Sequence, residues 1–233
     1  MRFRRRLAKL ALRGLLPLGV RLRVEGEEHL EPAPTLVAAN HLAHMDPLIL
    51  LHVVPDLPEF VALADLWRLP WLMPFLRLYA PIPVQRDRVD RSVICRVLAS
   101  LKAGTRVVIF PEARISPSGR LEPARAGVAY FALRASVPVQ PVVLWGTERL
   151  LHAWKQGRRG VVCVRVGRPI VVPPLNGRHV PKSQRTALTE RIMVELARLL
   201  PPEYRGVHGR STRDSEEESP CPCEADHRPS RSS

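Results

Sequence analysis

The sequence predicts an α/β protein: a layered domain with a largely parallel central sheet flanked by helices, plus a basic amphipathic N-terminal helix. Three observations predict it. Short β-branched or apolar runs, such as R-V-V-I-F at 106–110, alternate with segments of helical periodicity. Such alternation implies crossover helices that cover the faces of a mostly parallel sheet. The 233 residues are 45% hydrophobic and 25% charged, ordinary for one globular domain with a sizeable core.

The elements follow in chain order. Residues 1–24 carry eight basic residues and no acid. At helical spacing Arg2, Arg6, Lys9 and Arg13 line one face; Phe3, Leu7, Leu10, Ala11 and Leu15 line another. This pattern fits a helix lying in a bilayer interface, and equally an ordinary helix packed on its own domain. Pro17 ends or kinks it. Strands are expected at 35–39, 60–64, 82–84, 106–110, 139–145 and 161–166. Helices are expected from Leu48 onward, over 91–102 with Gly104 as the stop, over 127–135, and through Leu188, Ile192, Met193, Leu196 and Leu200 up to Pro201-Pro202. The run 66–84 holds four of the chain's twelve aromatics with few charges. It reads as core helix or as a surface for lipid or an alkyl chain. Val137-Pro138 to Pro141-Val142 reads as a rigid edge. The organisation is then a membrane-surface helix over 1–24, a domain over 25–207 and a disordered tail over 208–233. The tail is rich in Ser, Pro and charge and has no large apolar residue.

The formal net charge is +14. A chain this basic suits an acidic partner, either nucleic acid or an anionic membrane. No zinc-finger or RNA-binding aromatic block is present, and a nucleic-acid role leaves the apolar aromatic run unexplained. The expected partner is an anionic membrane surface, with no nucleic acid. No run of about 18 uncharged apolar residues exists to span a bilayer, and no cleavable signal pattern is seen. Cys95 and Cys163 sit in apolar stretches and read as buried thiols; Cys221 and Cys223 form a lone C-P-C without a second pair to complete a zinc site. This usage fits a reducing compartment, and the expected place is the cytoplasmic face of the cell membrane, peripheral or monotopic.

Two clusters carry chemistry. The first is Asn40-His41-Leu-Ala-His44-Met-Asp46-Pro47, directly after a strand. On one helix His41 and Asp46 would diverge by roughly 140°. Pro47, however, favours a helix that begins near Asp46. Asp46 then reads as an N-cap, and the preceding loop can fold the His41 imidazole onto its carboxylate. A carboxylate on one ring nitrogen fixes the tautomer and makes the other nitrogen a general base. The bland alternative is a polar loop capped by Asp46; His44 is a less clearly paired candidate. No G-x-S-x-G nucleophile elbow is present, so the base would act on a substrate hydroxyl directly. The second cluster is Phe110-Pro-Glu112-Ala-Arg114 at the end of the strongest strand, where α/β sheets bind ligands. Arg114 suits a phosphate; an ordinary ion pair with a nearby acid is the alternative.

These residues resemble the glycerolipid acyltransferases of the 1-acylglycerol-3-phosphate type. Asn40-His41 with Asp46 resembles their H-x4-D motif, Ile82-Pro-Val-Gln-Arg86 the block that ends in Arg, Phe110-Pro-Glu112-Ala-Arg114 the F-P-E-G block, and Val137-Pro138 to Pro141-Val142 the last block. All four occur in the family's order. The resemblance implies transfer of a fatty acyl chain from acyl-CoA or acyl-carrier protein, as co-substrate with no bound cofactor or metal, to a lysophospholipid hydroxyl. Most directly it implies conversion of 1-acylglycerol-3-phosphate to phosphatidic acid. It also implies His41 as the base, Asp46 as its orienter, and Asn40, Arg86, Glu112 and Arg114 as acceptor-binding residues. The chain departs from the pattern at Leu63, where Lys is usual, and at Ala113, where Gly is usual. The Leu63 departure motivates a further alternative, a catalytically silent lipid-binding member of the same fold.

Overall fold

The computed structural model describes residues 2–210 apart from 64, 65, 67, 69, 71, 85–90, 125, 126, 176 and 178. The tail beyond 210, Cys221, Cys223 and Arg86 lie outside the described residues. Among the described residues, seven strands form one sheet: β1 (Val20–Glu25), β2 (Leu36–Ala39), β3 (Glu59–Leu63), β4 (Ile82–Val84), β5 (Val107–Ile109), β6 (Val139–Trp145) and β7 (Gly160–Val166). Their order across the sheet is β1-β7-β6-β2-β5-β3-β4. All neighbouring pairs are parallel except β6 with β7, which are antiparallel. The sheet is therefore largely parallel, as expected, with β1 and β7 running against the rest.

The helices among the described residues that cover it are α1 (Arg2–Gly19), α2 (Asp46–Val53), α3 (Met73–Tyr79), α4 (Arg91–Lys102), α5 (Gly127–Ala135), α6 (Leu150–Lys155) and α7 (Lys182–Leu199). β2 explains how both layers are held. Its four residues are fully buried. Period-two geometry sends Leu36 and Ala38 into a core with α4, α5 and α7. It sends Val37 and Ala39 into a second core with Ala8 and Leu16 of α1, Ile49 and Leu50 of α2, Tyr79 of α3 and Leu150 of α6. An interior parallel strand buried on both faces needs such an uninterrupted apolar run.

The N-terminal segment corrects the sequence reading. α1 runs two residues past Pro17, and residues 20–25 are not part of the helix but form β1, paired with β7 from Val20↔Gly160 to Glu25↔Arg165. The apolar row Phe3, Leu7, Leu10, Ala11 and Leu15 is exposed, as the membrane reading requires. Lys9, placed by spacing beside Arg2, Arg6 and Arg13, is instead buried, and so is Arg5. Arg5 donates to both Glu59 carboxylate oxygens and to the carbonyls of Tyr79 and Ala80. Lys9 donates to the carbonyls of Val54 and Asp56. Burial, reinforced by nearby Arg13, pulls the Lys9 ammonium down to about 8. The helix thus turns two cations into the protein and the row Phe3, Leu7, Leu10, Ala11 and Leu15 outward.

Other differences are local. In the aromatic run, Tyr79 is buried against Phe60 and Phe75, which is the core reading; Trp67 and Trp71 lie outside the described residues. Pro141 lies in the sheet interior rather than at an edge. It occupies the gap between the isolated Val139↔Ile170 bridge and the β6–β7 ladder that starts at Val142, a place where β7 asks no N–H of it. Cys95 is exposed on α4, not buried, and Cys163 is buried but disulfide-bonded. Gly206–Arg210 form a short 3-10 helix.

Candidate active site

β2 and β5 are parallel neighbours in the middle of the sheet, so the loops that leave their C-terminal ends lie side by side. The loop after β2 (40–45) enters α2. The loop after β5 (110–116) carries the F-P-E-A-R sequence. Ser116 N–H donates to the His41 carbonyl at 2.8 Å and joins the two loops.

The His41–Asp46 pair forms as the local sequence requires. Nδ1 of His41 lies 2.8 Å from Asp46 Oδ2. The same oxygen accepts the N–H groups of Leu42 at 2.6 Å and Ala43 at 2.8 Å. Asp46 is thus the first residue of α2 and its carboxylate binds the preceding loop, where a helix N-cap would have bonded forward into the helix. Pro47 follows in the first turn, where its missing N–H costs nothing. The side chain of Asp46 is 0% exposed and that of His41 is 15% exposed. A substrate can therefore reach the imidazole and not the carboxylate. An acceptor oxygen at Nδ1 places the proton there and leaves Nε2 as the basic nitrogen.

Three further contacts fix the imidazole. The Phe110 ring stacks on it with centroids 4.1 Å apart and planes 19° from parallel. The His41 N–H donates to Glu112 Oε1 at 2.9 Å. Asn40, immediately before it, pairs its amide with the backbone of Leu144 on β6: Nδ2 donates to the carbonyl at 2.8 Å, and the Leu144 N–H donates to Oδ1 at 2.9 Å. His44, in the same loop, is exposed, and its pKa lies below the ordinary histidine value through desolvation first and the nearby His41 second.

Glu112 is the buried hinge of the second loop. Oε2 accepts the Glu122 N–H at 3.0 Å while Oε1 holds His41. Burial pushes its carboxyl up to about 7 against the pull of these two donors. The sign of the consequence is unusual for an acid. The native state holds this proton more tightly than the unfolded chain, so stability falls as pH rises from about 4.5 to about 7. Glu112→Gln removes that slope and turns an amide N–H₂ toward one of the two donors. The variant should be less stable than the parent, with the larger deficit at pH 5 than at pH 7.5. Urea midpoints of both proteins at the two pH values check this.

Ala113, beside it, has φ of 55°. A left-handed backbone costs a residue with a Cβ about 1–2 kcal/mol, which gives a physical reason for glycine to be usual at this turn in the family the sequence resembles. The alanine here carries that strain.

The Acyltransferase family model matches residues 21–145, more than half of the chain and the whole of both loops. The chain belongs to the Acyltransferase family. Within it, the chain is similar to the 1-acyl-sn-glycerol-3-phosphate acyltransferase of Limnanthes douglasii, 29% identical over 169 residues that cover 68% of this chain and 56% of the relative. It is 29% identical to that of Saccharomyces cerevisiae over 162 residues, covering 66% of this chain and 53% of the relative. It is 28% identical to the human alpha form over 180 residues, covering 75% of this chain and 62% of the relative. This acyltransferase-family chain thus spans little more than half the length of the first two relatives. Its fold is that of the crystal structure of the 1-acyl-sn-glycerophosphate acyltransferase PlsC from Thermotoga maritima, with a TM-score of 0.61, 24% identity, and coverage of 93% of this chain and 86% of that one.

The structure gathers His41, Asp46 and Glu112 at one point and assigns different work to some of the residues expected to hold the acceptor. Both ends of the Asn40 amide are engaged by the Leu144 backbone, and each Glu112 oxygen accepts a backbone N–H, so these two residues tether the 40–45 loop. Arg114 lies on the 110–116 loop with its guanidinium 3.1 Å from Glu122 Oε2 and half exposed. Arg86 lies outside the described residues. Sequence reasoning missed the Phe110 stack and the Leu144 tether. An aromatic residue ending a strand was the available signal for the first, but using it requires knowing that β5 neighbours β2.

Proposed function

We propose that this chain transfers a fatty acyl group from a thioester to the free hydroxyl of 1-acylglycerol-3-phosphate and yields phosphatidic acid. The observation that carries the reading is the 2.8 Å contact between a reachable imidazole and a sealed carboxylate. Nε2 of His41 takes the hydroxyl proton as the oxygen attacks the thioester carbonyl. Asp46 supports the imidazolium that results. The tetrahedral intermediate collapses with cleavage of the C–S bond, and the imidazolium returns the proton to the departing thiolate. The products are an ester and a free thiol. Arg114, exchanging Glu122 for a phosphate, binds the acceptor head group, and Arg86 is the second cation in this reading. The curated relatives carry the substrate name, which supports this acceptor.

The reaction occurs at an anionic bilayer surface. No helix among the described residues is long and apolar enough to cross a membrane, whereas α1 presents Phe3, Leu7, Leu10, Leu15 and Leu18 to the outside with Arg2, Arg4, Arg6 and Arg13 also exposed. The test is a panel of lysolipid acceptors offered with acyl-CoA and with acyl-carrier protein, read by mass spectrometry. The expected result is ester formation on 1-acylglycerol-3-phosphate and a preference between the two donors. Turnover only on acceptors that lack a phosphate overturns the assignment.

A further inference from the structure

We infer that the lipid-facing surface does not end at α1 but continues onto α6, and that this second contact lies at the catalytic edge of the sheet. The inference rests on the membrane reading above. α1 and α6 cover the same sheet face, because Ala8 and Leu16 of one and Leu150 of the other share a core. Their outward sides therefore look the same way. On α6 that side carries Leu151, 62% exposed, and one turn on Trp154, 40% exposed. The helix has only six residues, so two such side chains on one flank are a large fraction of it. The two helices touch: the Trp154 indole N–H donates to the Gly19 carbonyl at 2.8 Å, and its ring lies directly against Gly19, next to exposed Leu18.

Strand direction places this junction. β1 and β7 run against β2 and β6, and β1 begins at Val20 opposite Gly160. Hence the end of α1 and the turn after α6 sit where β6 ends, at Leu144 and Trp145. That is the edge from which Asn40 and His41 project, since Asn40 binds Leu144.

The occupant is an anionic bilayer. Residues 150–160 contain Lys155, Arg158 and Arg159, all exposed, and no acid; α1 also contains no acid. Exposed leucines and a tryptophan rimmed by cations match an acyl boundary beneath anionic head groups. With α1 and α6 both engaged, the bilayer surface is held level with the end of the sheet where His41 acts. One helix alone would leave the protein free to tilt about its axis.

The test measures co-sedimentation of the full chain with vesicles of phosphatidylcholine containing phosphatidylglycerol. Leu151→Glu should weaken binding by about tenfold or more, from the lost burial of one leucine and the added like charge. Leu151→Met should bind as the parent does. Thermal midpoints should be unchanged, because the side chain is exposed, and so should activity on a short-chain acceptor below its micelle concentration. Leu10→Glu on α1 is the reference arm. If Leu10→Glu weakens binding and Leu151→Glu does not, the inference is overturned and the α1 reading stands. If neither weakens it, both fall; if only Leu151→Glu does, the α1 reading falls and the continuous two-helix surface is overturned with it. Should Leu151→Glu leave vesicle binding intact but convert a dimer to a monomer, the occupant is a second copy of the chain and the inference is overturned.

Discussion

Replacing His41 with alanine should lower the turnover of acyl transfer by about 10²- to 10⁴-fold, the range typical of a lost general base. The fold should survive. The loop is held at this point by other groups: the His41 N–H to Glu112, the His41 carbonyl to the Ser116 N–H, and the side-chain amide of the preceding Asn40 to the Leu144 backbone. None of these needs the imidazole. The variant loses the stack on Phe110 and one of three donors to Asp46, which leaves a buried carboxylate still bound by Leu42 and Ala43. The measurement is transfer from a radiolabelled thioester at saturating substrate, with vesicle binding and circular dichroism alongside. Turnover within about threefold of the parent, from a folded and membrane-bound variant, would remove the imidazole from the mechanism.

Asp46→Asn should have the next largest effect, a fall in turnover of about 10²-fold or more, by analogy with amide replacement of the orienting acid in catalytic triads. The reason is specific to this site. Oδ2 accepts all three donors, while Oδ1 is buried with no partner among the described residues. An asparagine can keep its oxygen toward the three donors, but its N–H₂ then occupies the place of Oδ1 and finds no acceptor there. That costs about 1–3 kcal/mol of stability. More important for rate, in the proposed mechanism a neutral oxygen would give little support to the imidazolium formed as the hydroxyl is deprotonated. A stability loss with turnover preserved would reduce Asp46 to a scaffold for the loop. Loss of both, with turnover measured well below the unfolding transition, is the expected pattern.

Much of this arrangement was written in local sequence. The apolar runs marked the interior strands, because strands buried on both faces need unbroken apolar residues, as β2 has throughout and β6 has from Pro141 to Trp145. Pro47 after Asp46 forced a helix to begin there, and that bend is what lets two residues five apart meet. What stayed hidden was set by neighbours distant in the chain. β1 has strict alternation in Val20-Arg-Leu-Arg-Val-Glu25, a strand signal that the basic run before it obscured. The inward turn of Arg5 and Lys9 depends on acceptors 45–75 residues away, and no helical periodicity can announce them. Glu112 was picked out by its motif, but its work on the backbone of His41 follows only from strand order.

The way α1 is attached governs how its segment can be exchanged. A generic lipid anchor of equal length and greasiness would leave Glu59 without its guanidinium and would strip donors from the carbonyls of Val54, Asp56, Tyr79 and Ala80, which close the loops behind α2 and α3. Swapping this stretch between homologous chains therefore demands transplanting its inward rivets along with its greasy outer row. Grafts that preserve only the latter would stick to vesicles and yet hold the remainder of the protein poorly.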